Sequence, residues 1–85
     1  MKVKVLFFAS LREQLGKSQE EMELPASVDT VESLRTHLRA RGGPFGKAFD
    51  GKALVRAAVN QEMAQPGVRI KAGDEVAFFP PVTGG

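Results

Sequence analysis

The sequence predicts an α+β domain in which one main helix covers one face of a mixed β-sheet. Short segments of alternating apolar and polar residues lie towards both ends of the chain, and a longer segment between them has helical spacing. With 85 residues the chain is one domain. A domain of this size buries only about 60–65% of the surface that its unfolded chain exposes. Its thin core favours a carrier, adaptor or subunit over an enzyme with a deep cleft.

Alternation and β-branched or aromatic residues predict the strands. The first strand covers residues 2–8, with Val3, Val5 and Phe7 facing the core. The other strands are expected over residues 19–24, 54–60 and 75–79, with a short edge strand at 63–64 after a turn at Asn60-Gln61.

Helical spacing predicts one main helix near residues 30–41, which starts at Asp29-Thr30 and stops before Pro44. A shorter helical turn is expected from Ser10, which fits a capping box with Glu13, to a stop at Gly16. Residues 44–53 are expected to be a glycine-rich loop, anchored on the core by Phe45 and Phe49. The predicted core residues are Val3, Val5, Phe7, Leu34, Leu38, Val59, Val76 and Phe78. The resulting order, β-β-α-β-β-β, alone also admits other α+β folds.

Composition narrows the possible functions. The net charge is +2, from 12 basic and 10 acidic residues, which is too balanced to indicate nucleic acid or a membrane surface as a partner. The absence of cysteine excludes thiolate catalysis and cysteine-based metal sites. No apolar run approaches the length of a membrane span, and the N-terminal segment is unlike a signal peptide, so we expect a cytoplasmic location.

No catalytic constellation is visible. His37 is the only histidine, and it falls within the main helix, where a solvated side chain is the expectation. The serines have no histidine partner in any recognisable arrangement. The carboxylates lack metal-ligand spacing, so no metal site is expected.

The C-terminal segment is unusual. Pro80 and Pro81 fix the backbone after the last strand, and Val82 and Thr83 lead to Gly84-Gly85. The sequence therefore predicts a domain over residues 1–81 and a tail over 82–85. This tail extends roughly 15 Å at about 3.4 Å per residue, and glycine without a Cβ can enter a narrow channel. Such a tail delivers the carboxylate of Gly85 into another protein, where adenylation would allow a sulfur nucleophile to form a thiocarboxylate.

Four segments carry a resemblance to a known family: residues 2–9, 11–13, 57–61 and, most specifically, 73–85. In them the chain resembles the small subunits of molybdopterin synthase. The resemblance implies a ubiquitin-like β-grasp fold, with the first and last strands parallel at the centre. It implies that an E1-like enzyme uses ATP to adenylate Gly85, which becomes a thiocarboxylate and donates sulfur to a pterin precursor, building the molybdopterin dithiolene. The catalytic residues are then on the large subunit, and no cofactor is expected to bind this chain stably.

A docking surface is predicted beside the tail. Phe8 has the parity of the lysines on the first strand, and Phe79 has the parity opposite to Val76 and Phe78, so both should point away from the core. Exposed apolar patches mark interfaces. We expect Arg12 to add a charge at its rim and Met63 an adaptable contact.

Other uses of the same tail stay open at this point. A sulfur carrier for thiazole synthesis or tRNA thiolation would share the fold and the chemistry, although the chain is long for a thiazole carrier. A ubiquitin-like modifier would be conjugated to lysines through Gly85. A binding domain with an idle tail is the third alternative.

Overall fold

The computed structural model describes residues 1–51 and 54–81, which form five strands and three helices. The elements are β1 (Lys2–Phe7), α1 (Ser10–Leu15), β2 (Gln19–Glu23), α2 (Val31–Arg39), α3 (Gly43–Ala48), β3 (Arg56–Val59), β4 (Glu62–Ala64) and β5 (Glu75–Phe79). None of the helices in the described ranges combines the length and apolar character that a membrane span requires.

The strands form one sheet in the order β2-β1-β5-β3-β4. Strands β1 and β5 run parallel, with Val5 opposite Val76 and Phe7 opposite Phe78. The β1–β2, β3–β5 and β3–β4 pairs are antiparallel. This central parallel pair in a mixed sheet confirms the predicted ubiquitin-like β-grasp fold.

The core lies between the sheet and the helices. Leu34 and Leu38 of α2 are fully buried against the β1 and β5 side chains that alternation assigned to this face. Within the predicted core set, Val59 is the exception: it packs against the core but is only half-buried. It is the last residue of β3, next to the exposed hairpin turn at Asn60-Gln61.

The predicted loop over residues 44–53 is wrong in its first half, because α3 occupies Gly43–Ala48. Pro44 lies in the first turn of this helix, where its missing N–H leaves no intrahelical hydrogen bond unmade. Phe45 and Phe49 anchor the segment as predicted, with ring centroids 6.0 Å from Phe7 and 5.2 Å from Phe78, respectively.

The start of α1 also differs from the prediction. Ala9, with φ of 54°, is the N-cap, and Ser10 is the first helical residue with no side-chain cap. The Phe8 amide still donates to the Phe78 carbonyl at 3.1 Å, so the chain stays beside β5 up to Phe8, as predicted, and the turn into α1 falls at Ala9. Gly16, with φ of 74°, ends α1 as predicted.

The main helix and the third strand are close to their predicted limits. Thr30 caps α2 through a reciprocal pair of bonds with Ser33, which confirms the expected start. Strand β3 begins at Arg56, later than predicted, and Leu54 lies outside it with 78% of its surface exposed. The two-residue turn at Asn60-Gln61 has positive φ at both positions, as a tight hairpin requires.

A buried carboxylate fastens the start of β5 to this hairpin. Asp74 is 6% exposed and accepts hydrogen bonds from the Asn60 side-chain amide at 3.0 Å and the Lys71 backbone amide at 2.9 Å. The Asn60 side-chain oxygen in turn accepts from the Glu75 amide at 3.0 Å. This network holds the turn before β5 and the β3–β4 turn in one arrangement.

A second polar cluster joins β2 to the end of the main helix. Glu20 accepts from Lys17 and from Arg41, each at 2.8 Å, and the Arg41 guanidinium lies 4.1 Å from the centre of the Phe45 ring. Partial burial opposes ionisation of Glu20. The hydrogen bonds and positive charges of Lys17 and Arg41 outweigh it and hold the pKa of this carboxyl below its ordinary value.

We expect Asp74→Ala to lower the free energy of unfolding by about 1–3 kcal/mol, because it leaves two donors of part-buried hydrogen bonds, the Asn60 side-chain amide and the Lys71 backbone amide, without their acceptor. Urea unfolding followed by circular dichroism measures the change. Glu62→Ala, on the exposed surface of β4, is the matched control and should change stability by less than about 0.5 kcal/mol. Equal effects of the two substitutions would contradict the role given to Asp74.

The Glu20 cluster predicts a pH dependence. A carboxyl whose pKa is lower in the folded state stabilises the fold above its unfolded pKa of about 4.3. That contribution is lost as the pH falls through the folded-state pKa. Glu20→Gln should therefore cost about 0.5–1 kcal/mol at pH 7, a small value because the pair is partly exposed to solvent.

Urea titrations of both proteins between pH 7 and pH 3 measure this difference in stability, which should shrink towards the acidic end. A difference that stays constant over this range would show that the charge of Glu20 does not matter.

Candidate functional site

The sheet ends where the chain leaves β5. Phe79 is paired across the strands with Arg56, the first residue of β3. On the other side, the bond from the Phe8 amide to the Phe78 carbonyl places Phe8 beside Phe79. We call Phe8, Phe79 and Arg56 the terminal rung, because they are the last cross-strand neighbours at this end of the sheet. The chain after β1 turns away at Ala9, and β3 starts at Arg56.

The next rung on the face opposite the core, which we call the open face, starts at Gln19 of β2, opposite Leu6, and is apolar across the other four strands. The strand registers place Leu6 opposite Ala77, Ala77 opposite Ala58, and Ala58 opposite Met63. Together with the two phenylalanines of the terminal rung, these residues form a contiguous surface, the apolar strip, which consists of Leu6, Phe8, Ala58, Met63, Ala77 and Phe79.

The apolar strip is accessible to a partner. Phe8 and Met63 are 47% and 62% exposed, Leu6, Ala77 and Phe79 are half-buried, and Ala58 is buried between its neighbours on the strip. Contiguous apolar surface of this kind marks a protein interface more often than isolated exposed residues do.

The predicted docking residues are thus brought together in part. Alternation correctly placed Phe8 and Phe79 on the open face, and Met63 joins them through the hairpin register. Within the described residues the two phenylalanine rings make no ring–ring contact with each other, so they are neighbours on one surface and not a stacked pair. Arg12 is exposed on α1, just after Phe8. That these four residues bind a partner stays a prediction.

The two prolines that precede the predicted tail follow directly after the terminal rung. Pro80 and Pro81 are half-buried and are the last two residues of the described range. Pro80 has no amide hydrogen and cannot continue the pairing of β5. Val82, Thr83, Gly84 and Gly85 lie outside the described residues, so the predicted tail over 82–85 and its boundary with the domain stay predictions.

Several residues of this surface were not found from the sequence. Leu6 shares the parity of Phe8, and that signal was present in the first strand. Ala58 and Arg56 are placed beside Ala77 and Phe79 only through the register of β3 with β5, which local periodicity does not specify.

The described residues offer little other chemistry. Within residues 1–51 and 54–81, no group of three or more metal-ligating side chains could hold a metal ion. His37 is half-buried on α2. Asp74 is buried, but its oxygens already accept hydrogen bonds. The surface beside the tail is therefore the strongest candidate for a functional site.

Comparisons with known proteins agree with this reading of the fold. The model of the ThiS family matches residues 5–85. The chain is 49% identical to the molybdopterin synthase sulfur carrier subunit of Escherichia coli (strain K12) over 84 residues, covering 98% of this chain and 99% of the relative.

Two solved structures share the fold. SAMP1, the small archaeal modifier protein 1, from Haloferax volcanii has a TM-score of 0.75 at 26% identity, with both chains covered completely. The complex of subunits 1 and 2 of the molybdopterin-converting factor from Helicobacter pylori contains a chain with a TM-score of 0.68 at 22% identity, again with complete coverage of both chains. On these grounds, the chain belongs to the ThiS family and, within it, to the molybdopterin synthase sulfur carrier subunits.

Proposed function

We propose that this chain carries sulfur on the carboxyl group of Gly85 and delivers it to a pterin precursor bound by the large subunit of molybdopterin synthase. Its relatives in Escherichia coli and Haemophilus influenzae are named as sulfur carrier subunits of that enzyme. A chain without cysteine has no thiol to hold the sulfur, so the terminal carboxylate is the available group.

The observation that carries this proposal is the position of Pro80 and Pro81 directly after the terminal rung. Because pairing stops at Phe79 on both sides, the chain leaves the sheet beside the exposed apolar strip. A partner that covers the strip would receive the tail at the same time, which couples docking to delivery.

The proposed chemistry has two stages. An E1-like enzyme uses ATP to convert the Gly85 carboxylate to an acyl-adenylate and releases pyrophosphate. Sulfide then displaces AMP, which leaves a thiocarboxylate. If a persulfide is the donor, it displaces AMP to give an acyl disulfide, and a thiol must reduce the S–S bond to release the thiocarboxylate. In the large subunit the thiocarboxylate sulfur displaces an oxygen substituent of the pterin precursor and forms a thioester. Water hydrolyses this thioester, which leaves the sulfur on the pterin and returns Gly85 to a carboxylate that must be activated again.

Docking is proposed to depend on the apolar strip. Aromatic side chains and methionine are enriched at interface centres, and charged residues at the rim. Phe8, Phe79 and Met63 supply the first class, and Arg12 is placed to supply the second. The Helicobacter pylori structure is described as a protein–protein complex of two subunits, which supports a heteromeric assembly here.

A second candidate function is conjugation to other proteins through Gly85. It is favoured by the fold shared with a small archaeal modifier protein. The two functions differ in product: a carrier yields a thiocarboxylate, and a modifier yields an isopeptide bond to lysine. Intact and fragment mass spectrometry of protein from cells making molybdopterin distinguishes them, provided that the shift is localised to Gly85, since methionine oxidation adds a similar mass.

We expect Phe8→Ala and Phe79→Ala each to weaken binding to the large subunit and to the adenylating enzyme by about 1–3 kcal/mol, as loss of an interface anchor does. Isothermal titration calorimetry measures the binding. Val68→Ala is the control, because Val68 is also an exposed apolar residue but lies beside the start of α2, away from the open face.

The thermal midpoint of the Phe8 variant should stay close to that of the native chain, because Phe8 is 47% exposed. If either substitution unfolds the domain, that phenylalanine belongs to the core and its assignment to docking is wrong.

Deleting Gly85 should abolish sulfur transfer while the fold and most of the docking affinity remain. The deletion retracts the reactive carbon by about 3.4 Å, and a misplacement of about 1 Å can already cost 100-fold in rate. Product formation with the large subunit, the adenylating enzyme and a sulfide source measures the effect, and calorimetry on the same protein checks docking. Turnover at the native rate would end the carrier proposal and leave a binding domain.

A further inference from the structure

Arg56 is the charged residue of the terminal rung, at the otherwise apolar end of the open face. Its Cα partner across the strands is Phe79, and side chains at such positions lie with Cβ atoms about 5 Å apart. A partner surface that covers Phe79 must therefore also cover, or directly border, Arg56.

The side chain of Arg56 has no partner of its own in the described part of the chain. It forms no ion pair or hydrogen bond with residues 1–51 or 54–81, whereas Arg41 pairs with Glu20 and Arg69 pairs with Asp29. Arg56 is also exposed, so its guanidinium is available to another molecule.

The charges on the open face are distributed unevenly. At the end far from the tail, Lys2 is opposite Glu23, and Lys4 lies between Glu21 and Glu75. Opposite charges at such positions compensate each other. Among the described strand residues of the terminal rung and the rung beside it, Arg56 carries the only charge.

This placement restricts what the partner can present. Covering an arginine without an anion is strongly unfavourable, because a desolvated charge is left uncompensated. The planar guanidinium fork matches a carboxylate in bidentate geometry. The fitting surface is apolar where it meets the strip and acidic where it meets Arg56.

We propose that Arg56 is a specificity-determining residue of the docking surface, which pairs with an aspartate or glutamate of the large subunit beside the point where the tail enters. This inference rests on the proposed function, since it requires that the large subunit covers the apolar strip. Within such an interface, the charge pair accelerates association and selects against surfaces that lack the carboxylate.

The test compares binding of the large subunit to the native full-length chain and to Arg56→Gln, Arg56→Lys and Lys71→Gln by surface plasmon resonance at several salt concentrations. Lys71→Gln is the matched control: it removes the same charge from an exposed position in the turn before β5, at the far end of the sheet. Thermal midpoints of all variants establish that the fold is intact.

Arg56→Gln should lower the association rate constant roughly 3- to 10-fold at low salt and flatten its salt dependence. Lys71→Gln should change the association rate constant, and its salt dependence, by less than about twofold. Arg56→Lys should restore the salt dependence but dissociate faster than the native chain, because lysine lacks the bidentate fork. A charge-reversal variant, Arg56→Glu, should bind the native large subunit poorly. Replacing the pairing carboxylate of the large subunit with arginine should restore the binding of this variant.

Equal behaviour of Arg56→Gln and Lys71→Gln, with the native chain binding normally, would overturn the role of Arg56 and leave the proposed function standing. No binding of the native chain to the large subunit would overturn the proposed function itself, and this inference with it.

Discussion

The parallel pairing of β1 with β5 is the interaction on which the rest of the structure depends. It joins Val5 to Val76 and Phe7 to Phe78, residues from opposite ends of the chain that are almost completely buried. Strand β2 attaches to the outer side of β1, and β3 to the outer side of β5. Bringing β1 and β5 together closes most of the chain into a loop, which costs conformational entropy. The burial of these side chains against Leu34 and Leu38 offsets that cost.

The same register also builds the candidate functional surface. In a strand, side chains alternate between faces, so the pairing that buries Phe7 and Phe78 necessarily turns Phe8 and Phe79 outward. The pairing ends on this rung, because β1 turns at Ala9 and Pro80 cannot donate a hydrogen bond. The buried core, the apolar strip and the position of Pro80 beside it are therefore consequences of one alignment of two strands.

The sequence predicted those features that have a local signature. Strict alternation located β1 and both of its faces, and helical spacing with a capping residue located α2. Helix α3 was missed because its glycines and Pro44 are typical of loops, although Phe45, Ala48 and Phe49 recur at helical spacing. The setting of Arg56 could not be predicted, since the alignment of β3 with β5 is set by packing and by the Asp74–Asn60 network.

Separating the core from the contact surface on two faces of one sheet has an evolutionary consequence. Residues such as Phe8 and Met63 are exposed, so they can be replaced with small effects on folding stability. Replacing Phe7 or Phe78 instead removes side chains from the core and destabilises the fold. After gene duplication, copies of such a chain can acquire different clients through drift on the outward face alone, while the inward face preserves a common scaffold.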